Sequence, residues 1–485
     1  MKSIYFILFS MYVFSLSAQI TFEKAYDNDL DLRTFAVLQT SDGHYVLAGT
    51  IATTGSDLDV HLIKTDDHGD TVWTRTYRGY STQFPTGIEE MVDHTYLVSG
   101  WTSTQIGPSR YSAYLMKIDA GGDTLWTRTI GPADDSEQIF QIRPTGDGGY
   151  LLCGYSDEMS HNDYFYLLKV NANGDSLWRV IYNPMPGDQA QARNVLATGD
   201  GDFVVAGNVD QDGTKIAHLV KLDSSGQVRW AQTWNLGGNT LLYDVKQTPD
   251  GGYILGGYTD ATGAGGMDLL LIKTDSGGDS MWTRTYGGPS NEFGYCVETV
   301  GSTGYVISGT TGSFGAGSND FYLVRTNTTG DTLWTRTFGG RSQDWLQDMR
   351  LAADGGFILT GYSYSFGYGE NSYLVKTNGE GKVTGVEHIQ VTTLGTFRLE
   401  QNYPNPFNPV TTIRYQLPVS SAVDLSVYNL LGQKIATLVD KKQKAGSHQV
   451  QWNANKYASG IYIYQLKAKN QIQNEMFTRK LILLK

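Results

Sequence analysis

The stretch from Asp331 to Phe338, DTLWTRTF, recurs along the chain with its tryptophan in the same place. Similar stretches begin at Asp279, Asp175 and Asp123 and again at Asp70. A period of about 50 residues over most of a 485-residue chain predicts one large repeat domain. The repeated tryptophans are 53, 52, 52, 52 and 52 residues apart and are Trp73, Trp126, Trp178, Trp230, Trp282 and Trp334.

A second signature, of the form DGGYILGGYT, occurs seven times. Between its turns the apolar side chains alternate, which predicts four short antiparallel strands in each repeat. One such sheet every ~50 residues is typical of a propeller blade, so we predict an all-β fold with a seven-bladed β-propeller over residues 19–386. The signatures start at Asp42, Asp93, Asp147, Asp200, Asp250, Ser302 and Asp354. In the fifth repeat the predicted strands are about Leu242 to Thr248, Tyr253 to Thr259, Leu269 to Thr274 and Ser280 to Tyr286.

Seven signatures accompany only six tryptophans, so one outer strand is missing from the last repeat. The segment Phe22 to Tyr26, FEKAY, precedes the first signature as the tryptophan strands precede the others. We predict that it pairs with the last repeat and closes the ring, which removes an open sheet edge. The alternative segment, Lys382 to Val386, lacks both large aromatic side chains.

The tryptophans recur in six repeats and are therefore interpreted as packing residues between blades. Burying one such side chain removes roughly 150–250 Å² from water, a gross gain of about 4–6 kcal/mol. A basic residue also recurs in every repeat, and we expect it to pair with the acid of the following turn, such as Asp66 or Asp275. These basic residues are Lys64, Lys117, Lys169, Lys221, Lys273, Arg325 and Lys376.

The first residues predict a secretory signal peptide. Lys2 precedes an apolar run from Ile4 to Leu16, and Ser17 and Ala18 supply the small-residue end. The run is shorter than the ~20 apolar residues that a membrane-spanning helix needs. We therefore expect residues 1–18 to be a signal peptide that is removed during export.

The net charge of −12 is unevenly distributed. Residues from Ile389 onward carry a charge of +8, which leaves −20 for the rest of the chain. An acidic body argues against nucleic-acid binding. The only cysteines, Cys153 and Cys296, lie in different repeats and are expected to be buried and unpaired.

The repeats resemble the tryptophan-bearing propellers of the quinoprotein-like group, whose blades end in a similar Gly turn and Leu-Trp step. They resemble still more closely the secreted propellers of Bacteroidota-type bacteria. The resemblance covers about Ile20 to Val386 and implies architecture only, because one fold carries many functions.

The 52-residue period stops after Val386, and we interpret residues 387–396 as a linker to a small domain at 397–485. This domain opens with a proline-rich stretch, QNYPNPFNPVTTIRYQLP, from Gln401 to Pro418, whose prolines exclude a central strand. Alternating apolar runs then predict an immunoglobulin-like β-sandwich. The runs are Thr412 to Leu417, Val423 to Tyr428, Lys434 to Leu438, His448 to Trp452, Gly460 to Leu466 and Met476 to Leu484.

The small domain resembles the C-terminal sorting domain of type IX secretion cargo, also called the Por secretion tail. The resemblance implies passage through the periplasm and across the outer membrane, so that the protein is secreted or held at the cell surface. It also implies the type IX machinery and a sortase-like peptidase as partners. The alternative is an ordinary adhesive sandwich. The residues that carry the resemblance are Tyr403, Pro404, Asn405, Pro406, Phe407, Asn408, Pro409, Tyr428, Asn429, Gly432, Trp452, Ser459, Gly460, Ile461, Tyr462 and the ending Lys480 to Lys485.

Catalytic motifs are not evident in the sequence. The eight histidines show no metal-ligand spacing, and no nucleophile elbow or phosphate-binding loop occurs. Arg78, Arg110, Arg193 and Arg341 are too dispersed to predict an arginine cluster. We expect no enzymatic activity, no cofactor and no metal.

Function is expected where the repeats differ, on the loops of one face of the ring. Aromatic side chains beside carboxylates suit the capture of a glycan or a peptide. The alternative is that these residues only anchor their loops. The candidate ligand-binding residues are Glu292, Phe293, Asp344, Trp345, Tyr364, Phe366 and Tyr368.

The first hypothesis for function is therefore a secreted or cell-surface binding propeller that recognises a glycan or a protein. The second is an enzyme that acts on glycans or depends on a quinone. The third is a structural spacer in a surface coat.

Overall fold

The computed structural model describes residues 19–27, 30–54, 57–79, 81–104, 110–131, 136–157, 163–185, 188–367, 369–384, 390–393, 398–417, 421–444, 446–469 and 474–484. The predicted signal peptide lies outside these residues. The described residues form strands joined by turns, without a helix, which confirms the predicted all-β class.

Strand β1 (Phe22–Asp27) is followed by six sheets, each of four consecutive antiparallel strands. The second and third strands of a sheet are buried along most of their length, whereas the fourth is largely exposed. The six sheets are β2 Leu32–Gln39, β3 Tyr45–Thr54, β4 Asp57–Thr65 and β5 Thr71–Tyr77; β6 Gln83–Glu90, β7 Tyr96–Thr104, β8 Arg110–Ile118 and β9 Thr124–Ile130; β10 Glu137–Pro144, β11 Tyr150–Ser156, β12 Tyr164–Val170 and β13 Ser176–Tyr182; β14 Gln189–Ala197, β15 Phe203–Gln211, β16 Thr214–Leu222 and β17 Val228–Trp234; β18 Thr240–Gln247, β19 Tyr253–Thr259, β20 Asp268–Thr274 and β21 Ser280–Tyr286; β22 Glu292–Thr299, β23 Tyr305–Thr311, β24 Asp320–Thr326 and β25 Thr332–Phe338.

A seventh sheet joins the two ends of this series. Its order is β26 (Asp344–Leu351), β27 (Phe357–Ser363), β28 (Asn371–Lys376), β1 and β29 (Gln390–Thr393). β1 runs antiparallel to β28, with Phe22 opposite Lys376, so the predicted closure by the N-terminal segment is confirmed.

Part of the segment 387–396, which the sequence analysis interprets as a linker, forms a strand. Gln390–Thr393 forms β29, which pairs in parallel with β1 at the outer edge of the seventh sheet. The pairing uses the outer hydrogen-bonding edge that β1 would otherwise leave free.

Apolar clusters hold neighbouring sheets together. Seven such clusters occur among the described residues, and each combines side chains from two sheets that follow one another. The cluster between the seventh sheet and the first contains Phe22, Leu32, Leu47 and Ile358. The Thr34 hydroxyl on β2 also lies 2.8 Å from the Thr360 hydroxyl on β27. The series of sheets therefore closes into a propeller-like ring.

The repeated tryptophans pack between sheets, as their recurrence predicts. Trp334 lies against Gly381 and Trp282 against Gly330, in the last turn of the following sheet. A side-chain carbon added at Gly381 would lie 2.5 Å from the Trp334 ring. Both glycines have positive φ, of 68° and 83°, so close packing and backbone conformation each favour glycine at these positions.

The expected partner of the repeated lysines is wrong. Lys64 lies opposite Val46 in the β3–β4 ladder, next to the signature turn, and its Nζ is 3.4 Å from Asp42. The carboxylate of the following turn, Asp66, instead accepts backbone amides of its own turn from His68 and Asp70. Local turn bonds therefore occupy the predicted partner. The same pairing to the signature acid occurs in Lys117–Asp93, Lys169–Asp147, Lys221–Asp200, Lys273–Asp250 and Lys376–Asp354.

The sixth sheet carries the exception. Its signature begins with Ser302 rather than aspartate, and the basic residue is Arg325 rather than lysine. Arg325 donates to the Thr303 hydroxyl and to the Tyr305 carbonyl, so hydrogen bonds replace the ion pair.

Cys153 and Cys296 are both buried and unpaired, as expected. Burial raises the pKa of Cys153 to about 12, which keeps this thiol protonated and unreactive.

The tail contains two further sheets. One has the order β30 (Arg398–Leu399), β31 (Val410–Leu417), β34 (Gly446–Asn453), and the other has the order β33 (Lys434–Gln443), β32 (Ser421–Tyr428), β35 (Gly460–Lys469), β36 (Asn474–Leu483). Both contribute to one apolar core, which includes Ile413, Trp452, Leu425 and Tyr464. The predicted strands of the tail all occur, and most are longer than predicted.

Candidate functional site

The innermost strand of every sheet in the ring has a β-bulge at the same place. The register shift falls between Thr34 and Ala36 in the first sheet and at the equivalent position in the other six. A bulge adds one residue to the strand and redirects its side chain. The bulged residues are Phe35, Thr86, Phe140, Arg193, Tyr243, Tyr295 and Gln347.

All seven bulged residues line one cavity of about 200 Å³. The cavity lies where the seven inner strands meet, so it occupies the centre of the ring. Each bulge lies near the middle of its strand, and residues later in the strand form the base of the cavity. The bulged residues therefore lie nearer the first residues of the inner strands. The loops that lead into these strands are on the face of the ring where variable loops were predicted.

Ion pairs close the base of the cavity. Arg143 and Arg350, from opposite parts of the ring, both lie 3.2 Å from the Glu89 carboxylate. Lys246 lies 2.8 Å from Glu298. These five residues all stand three positions after a bulged residue, so the repeat places them in one layer.

Two aspartates lie between the ion pairs and the bulged residues and tie neighbouring sheets together. Asp244 accepts the Val297 amide at 2.9 Å, and Asp348 accepts the Val37 amide at the same distance. Burial raises the pKa of Asp244. Both carboxylates thus link the inner strands of neighbouring sheets by hydrogen bonds.

Arg193 differs from the other cavity cations. Its guanidinium lies 4.4 Å from the centre of the Phe140 ring and 5.2 Å from that of Tyr243, within cation–π range. Its only hydrogen bond goes to the Gln191 side chain, at 2.5 Å, and its Nε is buried without a partner among the described residues.

A second, partial aromatic layer stands two positions before three of the seven bulged residues. It includes Phe84, which lines the cavity, and Phe293 and Trp345, whose rings lie 6.1 Å apart. Tyr258 connects the layers, because its ring is 5.2 Å from Phe293 and 5.4 Å from Tyr243. Phe293 and Trp345 are two of the candidates from the sequence, and each lies two positions before a bulged residue that lines the cavity.

The two carboxylates predicted beside them point elsewhere. Glu292 is fully buried and accepts the Gly288 amide at 2.7 Å and the Thr311 hydroxyl at 2.8 Å. Asp344 is equally buried and accepts the Gly340 amide at 2.7 Å. This geometry favours the alternative stated above, that both residues anchor their loops.

The remaining candidates lie in the last repeat. Tyr364 is 40% exposed and donates to Glu370, which also pairs with Arg33. Phe366 packs against the buried ring of Tyr373 at 5.2 Å. Tyr368 lies outside the described residues.

The bulged residues were missed by the sequence analysis, although a signal for them existed. Each of them lies seven positions before the first residue of a signature, as Phe35 does before Asp42 and Arg193 before Asp200. This position varies from phenylalanine to arginine among otherwise similar repeats. Variation at a fixed place in a repeat is the pattern expected of a shared binding surface.

The tail motif is built into the second sheet of the tail. Phe407 is buried, lies 5.6 Å from Trp452, and exchanges backbone hydrogen bonds with Ile482 and Leu484. Asn405 accepts the Ile482 amide at 2.8 Å, and its side chain thereby fixes the motif against the last strand.

Residues 401–483 match the family model of the secretion system C-terminal sorting domain. The tail is therefore a sorting domain, and the chain is a cargo protein of type IX secretion, as the sequence resemblance implied. Its destination is the cell surface or the surrounding medium, and its tail interacts with the secretion machinery. No helix long and apolar enough to cross a membrane occurs in the described part of the chain.

Among solved structures, the chain is similar to PorZ, a surface component of the type IX secretion system of Porphyromonas gingivalis, with 11% identity and a TM-score of 0.41 over 93% of this chain. It spans 59% of the length of PorZ. Sqt1 from Chaetomium thermophilum has 12% identity and a TM-score of 0.41, covering 70% of this chain and 81% of Sqt1. A puromycin hydrolase mutant has 11% identity and a TM-score of 0.46, covering 79% and 58%. None of the three is similar enough to carry a functional argument, and no curated protein sequence matches the chain.

Proposed function

We propose that this chain is a non-enzymatic binding protein of the cell surface or the surrounding medium. A seven-bladed β-propeller binds a glycan or protein ligand in its central cavity, and an immunoglobulin-like sandwich sorts the protein. A sortase-like peptidase removes this sandwich after export. The observation that carries the binding role is the convergence of seven bulged side chains, one from each inner strand, on one cavity.

The chemistry of the cavity supports binding over catalysis. The carboxylates that line it, Asp244 and Asp348, are ion-paired and accept backbone amides. Aromatic rings with a few convergent polar groups are typical of ligand sites. A structural spacer would not need five different residue types at the seven bulged positions.

The full-length protein tested against glycan and peptide arrays would identify the ligand. A matched pair of variants then locates the site. Gln347→Trp places a large ring in the cavity at a position whose side chain makes no hydrogen bond to another described residue. Gln227→Trp makes the same change on an exposed turn between the third and fourth strands of the fourth sheet.

We expect Gln347→Trp to weaken binding at least tenfold and Gln227→Trp to leave it unchanged, with both proteins folded. Equal binding by the two variants would place the ligand elsewhere and contradict the proposal. Turnover of an array glycan by the purified protein would instead favour an enzyme.

A further inference from the structure

Two neighbouring residues on β14 leave polar groups unmatched in the cavity. Arg193 Nε and Asn194 Oδ1 are both buried without a hydrogen-bond partner among the described residues. Asn194 is 3% exposed, and both residues line the cavity. Buried polar atoms without a partner are rare in folded proteins and call for an explanation.

The orientation of Asn194 is determined by its neighbour. Its Nδ2 donates to the Asp244 carboxylate at 2.7 Å, which an amide oxygen could not do, so Oδ1 is directed away from Asp244. This oxygen can only accept a hydrogen bond. A ligand that satisfies it must therefore present a donor, such as a hydroxyl group.

Arg193 requires the opposite kind of group. The other three cations that line the cavity are paired with four carboxylates, two of which also line it, at distances of 2.8–3.8 Å. Arg193 is linked to a carboxylate only indirectly. Its guanidinium donates to the Gln191 side chain, and Gln191 in turn donates to Asp163 at 2.7 Å. Within the described part of the chain the guanidinium has no ion pair, so it can pair with an anion, and carboxylates match its fork of donors. The paired groups are Arg143, Lys246, Arg350, Glu89, Asp244, Glu298 and Asp348.

The aromatic lining of the cavity favours a ligand that contains a ring. Phe140 and Tyr243 flank Arg193, and Phe35 and Tyr295 complete an aromatic lining. The cavity of about 200 Å³ is smaller than the ~300–1,000 Å³ of sites that enclose a drug-sized ligand. A volume of this size fits one ring.

We infer that the cavity binds the terminal acidic sugar of a glycan, with the sugar carboxylate on Arg193 and a hydroxyl on Asn194. This inference rests on the proposed binding function and narrows its ligand. A carboxylate and a hydroxyl on one six-membered ring satisfy both unmatched groups at once. An acidic amino-acid side chain supplies the carboxylate but neither the ring nor the hydroxyl.

Calorimetry with the full-length protein tests the inference. The probes are the methyl glycosides of glucuronic and galacturonic acid, the corresponding neutral methyl glucoside and galactoside, and N-acetylglutamate amide. We expect one of the acidic sugars to bind at least tenfold more tightly than its neutral counterpart and than the glutamate derivative.

Variants locate the effect. Arg193→Gln should remove the preference for the acidic sugar, and Arg193→Lys should retain part of it. Arg128→Gln is the matched control, because Arg128 also lies over an aromatic ring, that of Trp126 at 5.3 Å, but on an outer strand. It should leave the preference unchanged.

Equal affinity of the unmodified protein for acidic and neutral sugars would overturn the inference, as would tighter binding of the glutamate derivative. Both outcomes leave the proposed function intact if Gln347→Trp still weakens binding of an array ligand at least tenfold. Failure of that variant to affect any ligand contradicts the proposed function itself.

Discussion

Phe22 lies against Gly69, in the relation that each tryptophan has to a glycine of the following sheet. A side-chain carbon added at Gly69 would come within 2.7 Å of the Phe22 ring, and Tyr26 donates to the Gly69 carbonyl at 2.8 Å. Tyr286 makes the same bond to Gly330. The contact between β1 and the first sheet therefore has the same construction as the contacts between the other neighbouring sheets.

Phe22→Ala should lower the free energy of unfolding by about 3–5 kcal/mol, because it leaves a cavity at a side chain that is 6% exposed. Chemical denaturation measures the change. Phe22→Trp should retain most of the stability, since the other contacts between neighbouring sheets use tryptophan. Leu333→Ala, at a side chain 56% exposed on an outer strand, is the control and should change stability by less than about 0.5 kcal/mol. Equal losses of unfolding free energy for the two alanine variants would contradict this packing role of Phe22.

The pair Lys273–Asp250 should show coupling in a double-mutant cycle. Lys273 is 2% exposed and Asp250 is mostly exposed, so Asp250→Asn leaves a buried ammonium without its counter-charge. We expect a loss of about 1–3 kcal/mol, discounted for the exposure of Asp250. Lys273→Met keeps the buried chain without the charge, and the double variant should recover part of the loss. Additive effects would show that the pair contributes nothing.

Two buried histidines should make stability depend on pH. Burial lowers the pKa of His61 and that of His218 to about 4. Unfolding exposes both rings, which then bind protons below their ordinary pKa of about 6.5. The contribution of the two histidines to the free energy of unfolding is therefore fully present above pH 6.5. It is lost between pH 6.5 and 4, by on the order of 3 kcal/mol for each histidine.

The test replaces both histidines by leucine, the residue that the fifth sheet has at this position, as Leu270. The double variant should lose most of the dependence between pH 4 and 6.5, measured by urea denaturation at each pH. His94→Gln is the control, because His94 lies in an exposed turn. An unchanged slope in the leucine variant would contradict the assignment.

Removal of residues 397–485 should leave a folded ring in the periplasm. The truncation removes the sorting domain but keeps Gln390–Thr393 paired with β1, so no strand of the ring is lost. Cell fractionation and surface proteolysis follow the protein. A reporter that carries a signal peptide and residues 397–485 is the positive control and should reach the surface. Export of the truncated chain at the full-length level would show that the tail is not required.

Much of the architecture was determined by the sequence alone. The 52-residue spacing of tryptophans such as Trp282 and Trp334, together with the glycine turns, defined the repeated sheets and their strands to within about two residues in the fifth repeat. Large aromatic residues at Phe22 and Tyr26 predicted the closing strand. Local alternation and turn chemistry suffice for such elements, because each depends on neighbours close in the chain. The tail motif was equally explicit, since it recurs in a known family.

The tertiary structure alone decided which side chains meet. The bulge in each inner strand breaks the two-residue alternation, so the face of Arg193 or Tyr243 could not be inferred from the pattern. Lysine partners were set by the neighbouring hairpin, and the burial of Glu292 was set by its own loop. The central cavity joins residues about 50 positions apart from seven sheets, and only closure of the ring brings them within contact distance.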